Sequence, residues 1–224
     1  MIEYMLTRTN RKTTAIYVRD GFVEVRAPYK ANVSDIDRFV LSKEKWIKDK
    51  LAERNQQIER KEKFTLAYGD MLLYHGKLHP IRGKPGDMAG FNVLSFYMPP
   101  DLPPEEIMYY CKRTYRLLAE RDLAERAYEL MDEMNVYPAA IKISNAKRVW
   151  GSCSSKKSIN FSWRLVMADE DVIDYVIVHE LAHIIEPNHS KRFWAVVESY
   201  IPDYKERRAR LKELERKLST EDWG

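Results

Sequence analysis

The chain has 224 residues, 45% of them hydrophobic, and its 38 Lys and Arg against 34 Asp and Glu leave a formal charge of +4 and a pI near 8.8. This is enough apolar material for one good core or two small subdomains, and a bias that permits an anionic partner without requiring one. Two cysteines are too few for a disulfide framework, MIEYMLTRTNRKTT lacks the apolar stretch of a secretory signal, and no window nears the roughly 20 apolar residues of a membrane span. The expectation is a soluble, cytoplasmic chain with no membrane partner.

Near the N-terminus, Ile16 and Val18, then Val23 and Val25, alternate on either side of Asp20-Gly21. Asp-Gly supplies the positive φ angles of a two-residue turn, so residues 15–25 are predicted to form a β-hairpin, to which Met5 to Thr9 can add a strand. From Ser34 to about Glu62, Ile36, Val40, Ile47, Leu51 and Ile58 recur among Lys, Arg and Glu. That pattern predicts a helix capped by Ser34, with its apolar stripe on the hairpin sheet and its charges in water.

Met71 to Met98 reads as strands broken by turns at His75-Gly76 and across Gly83 to Gly90. His75 and His79 invite a metal site here, but no neighbouring Cys, Asp or Glu completes a ligand set. Pro99-Pro100 and Pro103-Pro104 form a stiff connection and mark the expected boundary between a β-rich subdomain, 1–100, and a second, 101–224.

After Pro104 a long helix is expected, with Ile107, Cys111, Leu117, Leu118, Ala124, Tyr128 and Met131 on or near one face and Pro138 past its end. Ala140 to Trp150 and Ser158 to Val166 are β-rich and flank the polar run GSCSSKKS, which predicts a second hairpin. Its free edge could take up an extended peptide through main-chain hydrogen bonds, or it could simply support the helix that follows.

That helix carries the chemistry. Val172, Ile173, Val176 and Ile177 recur at helical spacing after a cap residue, Asp169, and then come His179, Glu180, Leu181, Ala182 and His183. Two imidazoles four residues apart share one helix face, a spacing that suits zinc at about 2.0 to 2.1 Å, and Glu180 stands beside them to take a proton from a water on the ion. Pro187-Asn188 can end the helix and fold His189 back as a third ligand, with Glu198 or Glu186 as alternatives. Three neutral ligands and a water make an open, catalytic type of site.

Beyond it, Phe193, Trp194, Val197 and Ile201 form a short helix expected to hold His189 in place, and Pro202 ends it. Tyr204, Arg207, Leu211, Leu214 and Leu218 continue as a last charged helix. On the preceding hairpin, Arg148, Ser152, Cys153, Asn160 and Arg164 could approach the ion, Arg148 as a candidate to stabilise a developing oxyanion.

Trp150-Gly151-Ser152-Cys153, Ile159-Asn160-Phe161, the HELAH segment and Asn188-His189-Ser190-Lys191-Arg192-Phe193-Trp194 together resemble the YgjP-like (DUF45) metallopeptidase family. The downstream part is similar to the SprT and WLM metalloproteases, whose third ligand is a histidine ahead of a comparable aromatic helix. The resemblance implies a zincin-like fold in the C-terminal half and favours His189.

The resulting expectation is an α+β chain, β-rich with one long helix in its N-terminal half and zincin-like in its C-terminal half. It would use one zinc ion, held by His179, His183 and His189, and Glu180 as base to hydrolyse a peptide or protein substrate. A second reading keeps the metal but cleaves a nucleotide, a triphosphate meeting Lys147, Arg148, Lys156, Lys157 and Arg164, though no Gly-rich phosphate loop is present. A third makes the chain a non-enzymatic module whose basic helices bind nucleic acid.

Overall fold

A computed structural model describes residues 2–19 and 21–223, and the chain forms two compact units. One runs up to Phe64 and includes Leu218–Asp222; the other comprises Thr65–Lys217 and Trp223. The architecture is α+β, as the sequence predicts. Among the described residues no helix is long and apolar enough to cross a membrane.

In the first unit, β1 (Met5–Thr9), β2 (Ala15–Val18) and β3 (Val23–Pro28) form a sheet of order β1-β3-β2. The central β3 pairs antiparallel with β2 and parallel with β1. Its alternation turns Val23, Val25 and Ala27 into the core. Gly21 has the expected positive φ of 81°, while Asp20 lies outside the described residues.

The single helix expected over residues 34–62 is two. α1 (Val33–Ser42) starts at Asn32 rather than Ser34, and α2 (Glu44–Glu62) follows a break at Lys43. The Ser42 hydroxyl donates to the Phe39 carbonyl at 2.7 Å, a local bond that competes with the helical ladder, and the Lys43 amide tightens onto the Val40 carbonyl. The apolar stripe holds across the break, with Ile36, Val40 and Ile47 buried. On the wet face the charges pair with their own helix neighbours, Lys48 with Glu44 and Lys63 with Glu59.

The second unit opens with β4 (Met71–Tyr74), β5 (Lys77–Gly83), β6 (Gly90–Phe91) and β7 (Phe96–Met98) in the order β4-β5-β7-β6. His75 and Gly76 both have positive φ, 47° and 72°, as a tight two-residue turn needs. A Cβ on Gly76 would fall 1.8 Å from Asp169 Oδ1, so this turn abuts the start of the motif-bearing helix.

α3 (Pro104–Met134) ends at Asn135 in the left-handed conformation. Its buried stripe is Ile107, Cys111, Tyr115, Leu118, Leu123, Ala127, Leu130 and Met134. Leu117 and Tyr128, expected on that face, are exposed. Across 31 residues the 3.6-residue period carries the face round the axis, and the true stripe follows that drift.

The predicted second hairpin is rearranged. β8 (Ala140–Ser144) pairs parallel with β10 (Ser158–Ser162), and only the short β9 (Gly151–Cys153) pairs antiparallel with β10, giving the order β8-β10-β9. Residues 163–166, read as strand, form a 3-10 turn, Trp163–Met167. The Ser162 hydroxyl donates to the Ala146 carbonyl and accepts from the Arg164 amide, which turns the chain out of the sheet.

α4 (Glu170–Ile185), α5 (Lys191–Tyr200) and α6 (Tyr204–Leu218) complete the fold. α6 is clamped to the start of α4: Arg210 Nη1 donates to Asp171 Oδ2 and Nη2 to Asp169 Oδ2, both at 2.5 Å, while Arg207 Nη1 donates to the Asp171 carbonyl at 2.8 Å. Trp223 is 2% exposed, its ring edge-on to Tyr115 and Trp163.

Candidate active site and metal centre

α4 begins where Asp169 is expected to cap it, although the carboxylate is held by Arg210 instead of capping the helix amides. Val172, Ile173, Val176, Ile177 and Leu181 bury the helix, and Tyr175 fills the turn before the motif. This core leaves His179 and His183 side by side, ring centroids 5.0 Å apart. After Ile185 the chain turns through Glu186 and Pro187, and Ser190 caps α5 by accepting from the Phe193 amide.

That turn returns His189 to the same place. His189 Nε2 lies 3.1 Å from His179 Nε2, and one nitrogen from each of His179, His183 and His189 lies within 4.8 Å of the others. Two nitrogens sharing a tetrahedral zinc would stand roughly 3.3 Å apart, given Zn–N distances of about 2.0 to 2.1 Å, so the donor set and its spacing fit such an ion. Neither Glu186 nor Glu198 joins this group among the described residues, and Glu198 is exposed on α5.

α5 supplies the floor. Phe193, fully buried, contacts all three imidazoles at centroid distances of 4.5 to 4.9 Å. Trp194 stacks on His189 at 26° and Tyr204 stacks on Trp194 at 17°. His189 is exposed, so this aromatic ladder, rather than burial, sets its orientation.

Burial pushes His179 down to about 3, helped by the charges of His183, His189 and Arg208. His183 is lowered too, by burial and then by His189, against the backbone carbonyls of Pro187 and Glu186. Both are therefore neutral at neutral pH, the form that binds metal. Glu180 is 6% exposed, and burial alone raises it to about 7, the range suited to a group that takes up and returns a proton.

These groups border a cleft of about 530 Å³. Its opposite wall is Gly151–Ser155 and Lys157; Ile184 and Pro187 line the near side. Ser152 faces Asn160 across the β9–β10 ladder, and bonds from Ser162 to Trp150 and from Ser154 to Ser158 flank that pair. By the alternation of an antiparallel ladder, the main-chain groups of Gly151 and Cys153 therefore point away from β10, along the free edge of the sheet.

Of the hairpin residues singled out in sequence, Ser152 and Cys153 reach the cleft, whereas Arg148, Asn160 and Arg164 do not line it. Arg164 instead lies 4.4 Å over the Trp163 ring and donates to the Ala146 carbonyl. Burial, followed by the Glu180 charge, pushes the Cys153 thiol up. Of the five basic residues considered for a triphosphate, only Lys157 lines the cleft.

His75 and His79 diverge. His79 packs edge-on to Tyr74 and Phe91, while His75 lies 3.2 Å from Glu170 and 3.4 Å from Asp122, carboxylates far away in sequence. Sequence reasoning also missed the relation of Gly151 to Glu180, although both stand in segments it had marked.

Over residues 12–214 the chain matches the YgjP-like, metallopeptidase domain family. No curated protein matches it. Among solved structures it is similar to two archaeal metallopeptidase zymogens. The Pyrococcus abyssi abylysin zymogen is 23% identical, with a TM-score of 0.37 over 40% of this chain and 90% of that one. The Methanocaldococcus jannaschii jannalysin zymogen is 25% identical, with a TM-score of 0.38 over 42% of this chain and 96% of that one. Because the family match takes in nearly the whole sequence, from the first sheet to the last helix, the chain belongs to the YgjP-like metallopeptidase family.

Proposed function

We propose that the chain is a zinc metallopeptidase in which His179, His183 and His189 hold one ion and Glu180 is the general base. The observation that carries this reading is the convergence of three imidazoles within 4.8 Å of one another next to a buried carboxyl whose pKa is raised to about 7. A bound zinc supplies Lewis acidity, polarising the scissile carbonyl and lowering the pKa of a water beside it to roughly 7. Glu180 takes the proton of the attacking water and passes it to the leaving amine nitrogen. The outward main-chain groups of Gly151 and Cys153 hold the substrate extended along β9, as a sheet edge holds an added strand.

The test is Glu180→Gln, assayed on fluorescein-labelled casein with zinc content measured in parallel. The variant should retain zinc at the wild-type level and lose turnover, while His183→Ala should lose the metal. Turnover surviving in Glu180→Gln at the wild-type rate would remove Glu180 from this role.

A further inference from the structure

We propose that Gly151 is a positioning residue for Glu180: it is glycine because the carboxyl of the base occupies the space that any side chain at 151 would take. This deepens the peptidase reading and rests on it for the role of Glu180. A Cβ built on Gly151 would fall 2.7 Å from Glu180 Cγ, 2.7 Å from Oε1 and 2.9 Å from Cδ. Real Cβ contacts are not that short, so something must move.

The backbone gives glycine no other reason to be there. Gly151 lies in extended strand, paired with Phe161, and is absent from the positive-φ glycines. Gly76 differs, since its φ of 72° alone would strain an L residue. At 151 the three nearest atoms a Cβ would meet all belong to the Glu180 side chain. Glu180 can yield by rotating, and rotation is the functional damage, because it takes the carboxylate out of the place it holds against Gly151 of β9.

The same contact fixes the base relative to substrate. The residue that leaves room for the carboxyl is one of the two whose main chain faces outward along the sheet edge, so a peptide paired at Gly151 is set directly over Glu180. Placing the peptide and its base from a single residue leaves little slack between them. A displacement of about 1 Å in such an arrangement costs on the order of 100-fold in rate.

The experiment compares wild type, Gly151→Ala, Glu180→Gln and the double variant by zinc content, thermal unfolding, crystal structure, and kcat and KM on fluorescein-labelled casein. Gly151→Ala should keep its zinc and its KM, lose about 10- to 100-fold in kcat, and show the Glu180 carboxylate displaced in the crystal. Added to Glu180→Gln it should slow the enzyme no further, because it acts only through that side chain. A wild-type kcat in Gly151→Ala, or a carboxylate that has not moved, overturns the proposal. If Gly151→Ala fails to fold, Gly151→Ala with Glu180→Ala should recover the unfolding temperature, and failure to recover also overturns it. If wild type cleaves nothing while Gly151→Ala still displaces the carboxylate, the peptidase reading falls and the placement of Glu180 by Gly151 stands.

Discussion

Arg126 on α3 grips Asp174 on α4 through two parallel hydrogen bonds, Nε to Oδ1 at 2.6 Å and Nη2 to Oδ2 at 2.9 Å. The pair fixes the long helix to the motif-bearing helix less than two turns ahead of His179. Both side chains keep some solvent, 36% and 20%, so the bidentate geometry is worth about 1 kcal/mol rather than the several a dry pair would involve in being broken. Arg126→Met should lower unfolding free energy by about that amount in urea titrations, and Asp174→Asn should add little on top. Fully additive losses would show that the two side chains do not act as a unit.

Trp194 should matter to the metal more than to the fold. It is partly exposed and stacks on His189, the member of the histidine cluster least held by burial and the proposed third ligand. Trp194→Ala is expected to weaken zinc binding by about 10-fold or more, the usual scale for losing an orienting neighbour of a ligand, with a smaller effect on thermal unfolding. Competition with a chromophoric chelator reads the affinity directly. Unchanged affinity would mean that the Ser190 cap and the turn at Pro187 suffice to place His189.

The two cysteines should separate chemically. Burial pushes the Cys111 thiol up to about 12, leaving a thiolate fraction on the order of one in ten thousand at pH 8. Cys153 is raised less and lines the cleft. Iodoacetamide at pH 8 should modify Cys153 slowly and Cys111 only after unfolding, as peptide mass spectrometry would reveal. Native labelling of Cys111 would contradict its place in the α3 core.

Asp122 gives a pH dependence of defined sign. Burial pushes its carboxyl up, but the His75 ring nitrogen 3.4 Å away and hydrogen bonds from Arg121 and Tyr74 together hold it below the ordinary carboxylate value. A folded pKa below the unfolded one contributes stability above the unfolded value, about 3.9, that is lost as pH falls through the folded value. Wild type should therefore exceed Asp122→Asn in stability at pH 7, and the gap should close below about pH 4. A gap that persists at pH 2 would assign the effect to packing rather than to charge.

The clustering of the three histidines was legible because it is local: a helical period fixes His179 against His183, and a proline four residues after His183 leaves His189 few places to go. The stripe of α1 and α2 and the start of α4 at Asp169 were legible for the same reason. What failed was non-local. Nothing near residue 140 announces that β8 will pair parallel with β10 rather than turn back as a hairpin, since parallel pairing needs a long connection and is not signalled by a local turn. Asp122 and Glu170 reach His75 from sequence separations of 47 and 95 residues, beyond any periodicity. Gly151 was visible as a residue, but its meaning lies in an atom it lacks, measured against a side chain on another element.

Trp223 sets its indole edge-on against the stacked rings of Tyr115 and Trp163, and in sequence α6, exposed and charged, separates it from the rest of its unit. A protease that nicks α6 would sever the tether that keeps this ring at high local concentration, and the aromatic cluster would then hold it only as a free fragment. Losing a buried tryptophan from such a cluster costs about 3 to 5 kcal/mol. Breakage there therefore reaches back into the hydrophobic interior, and a single cut in a wet helix could retire the molecule.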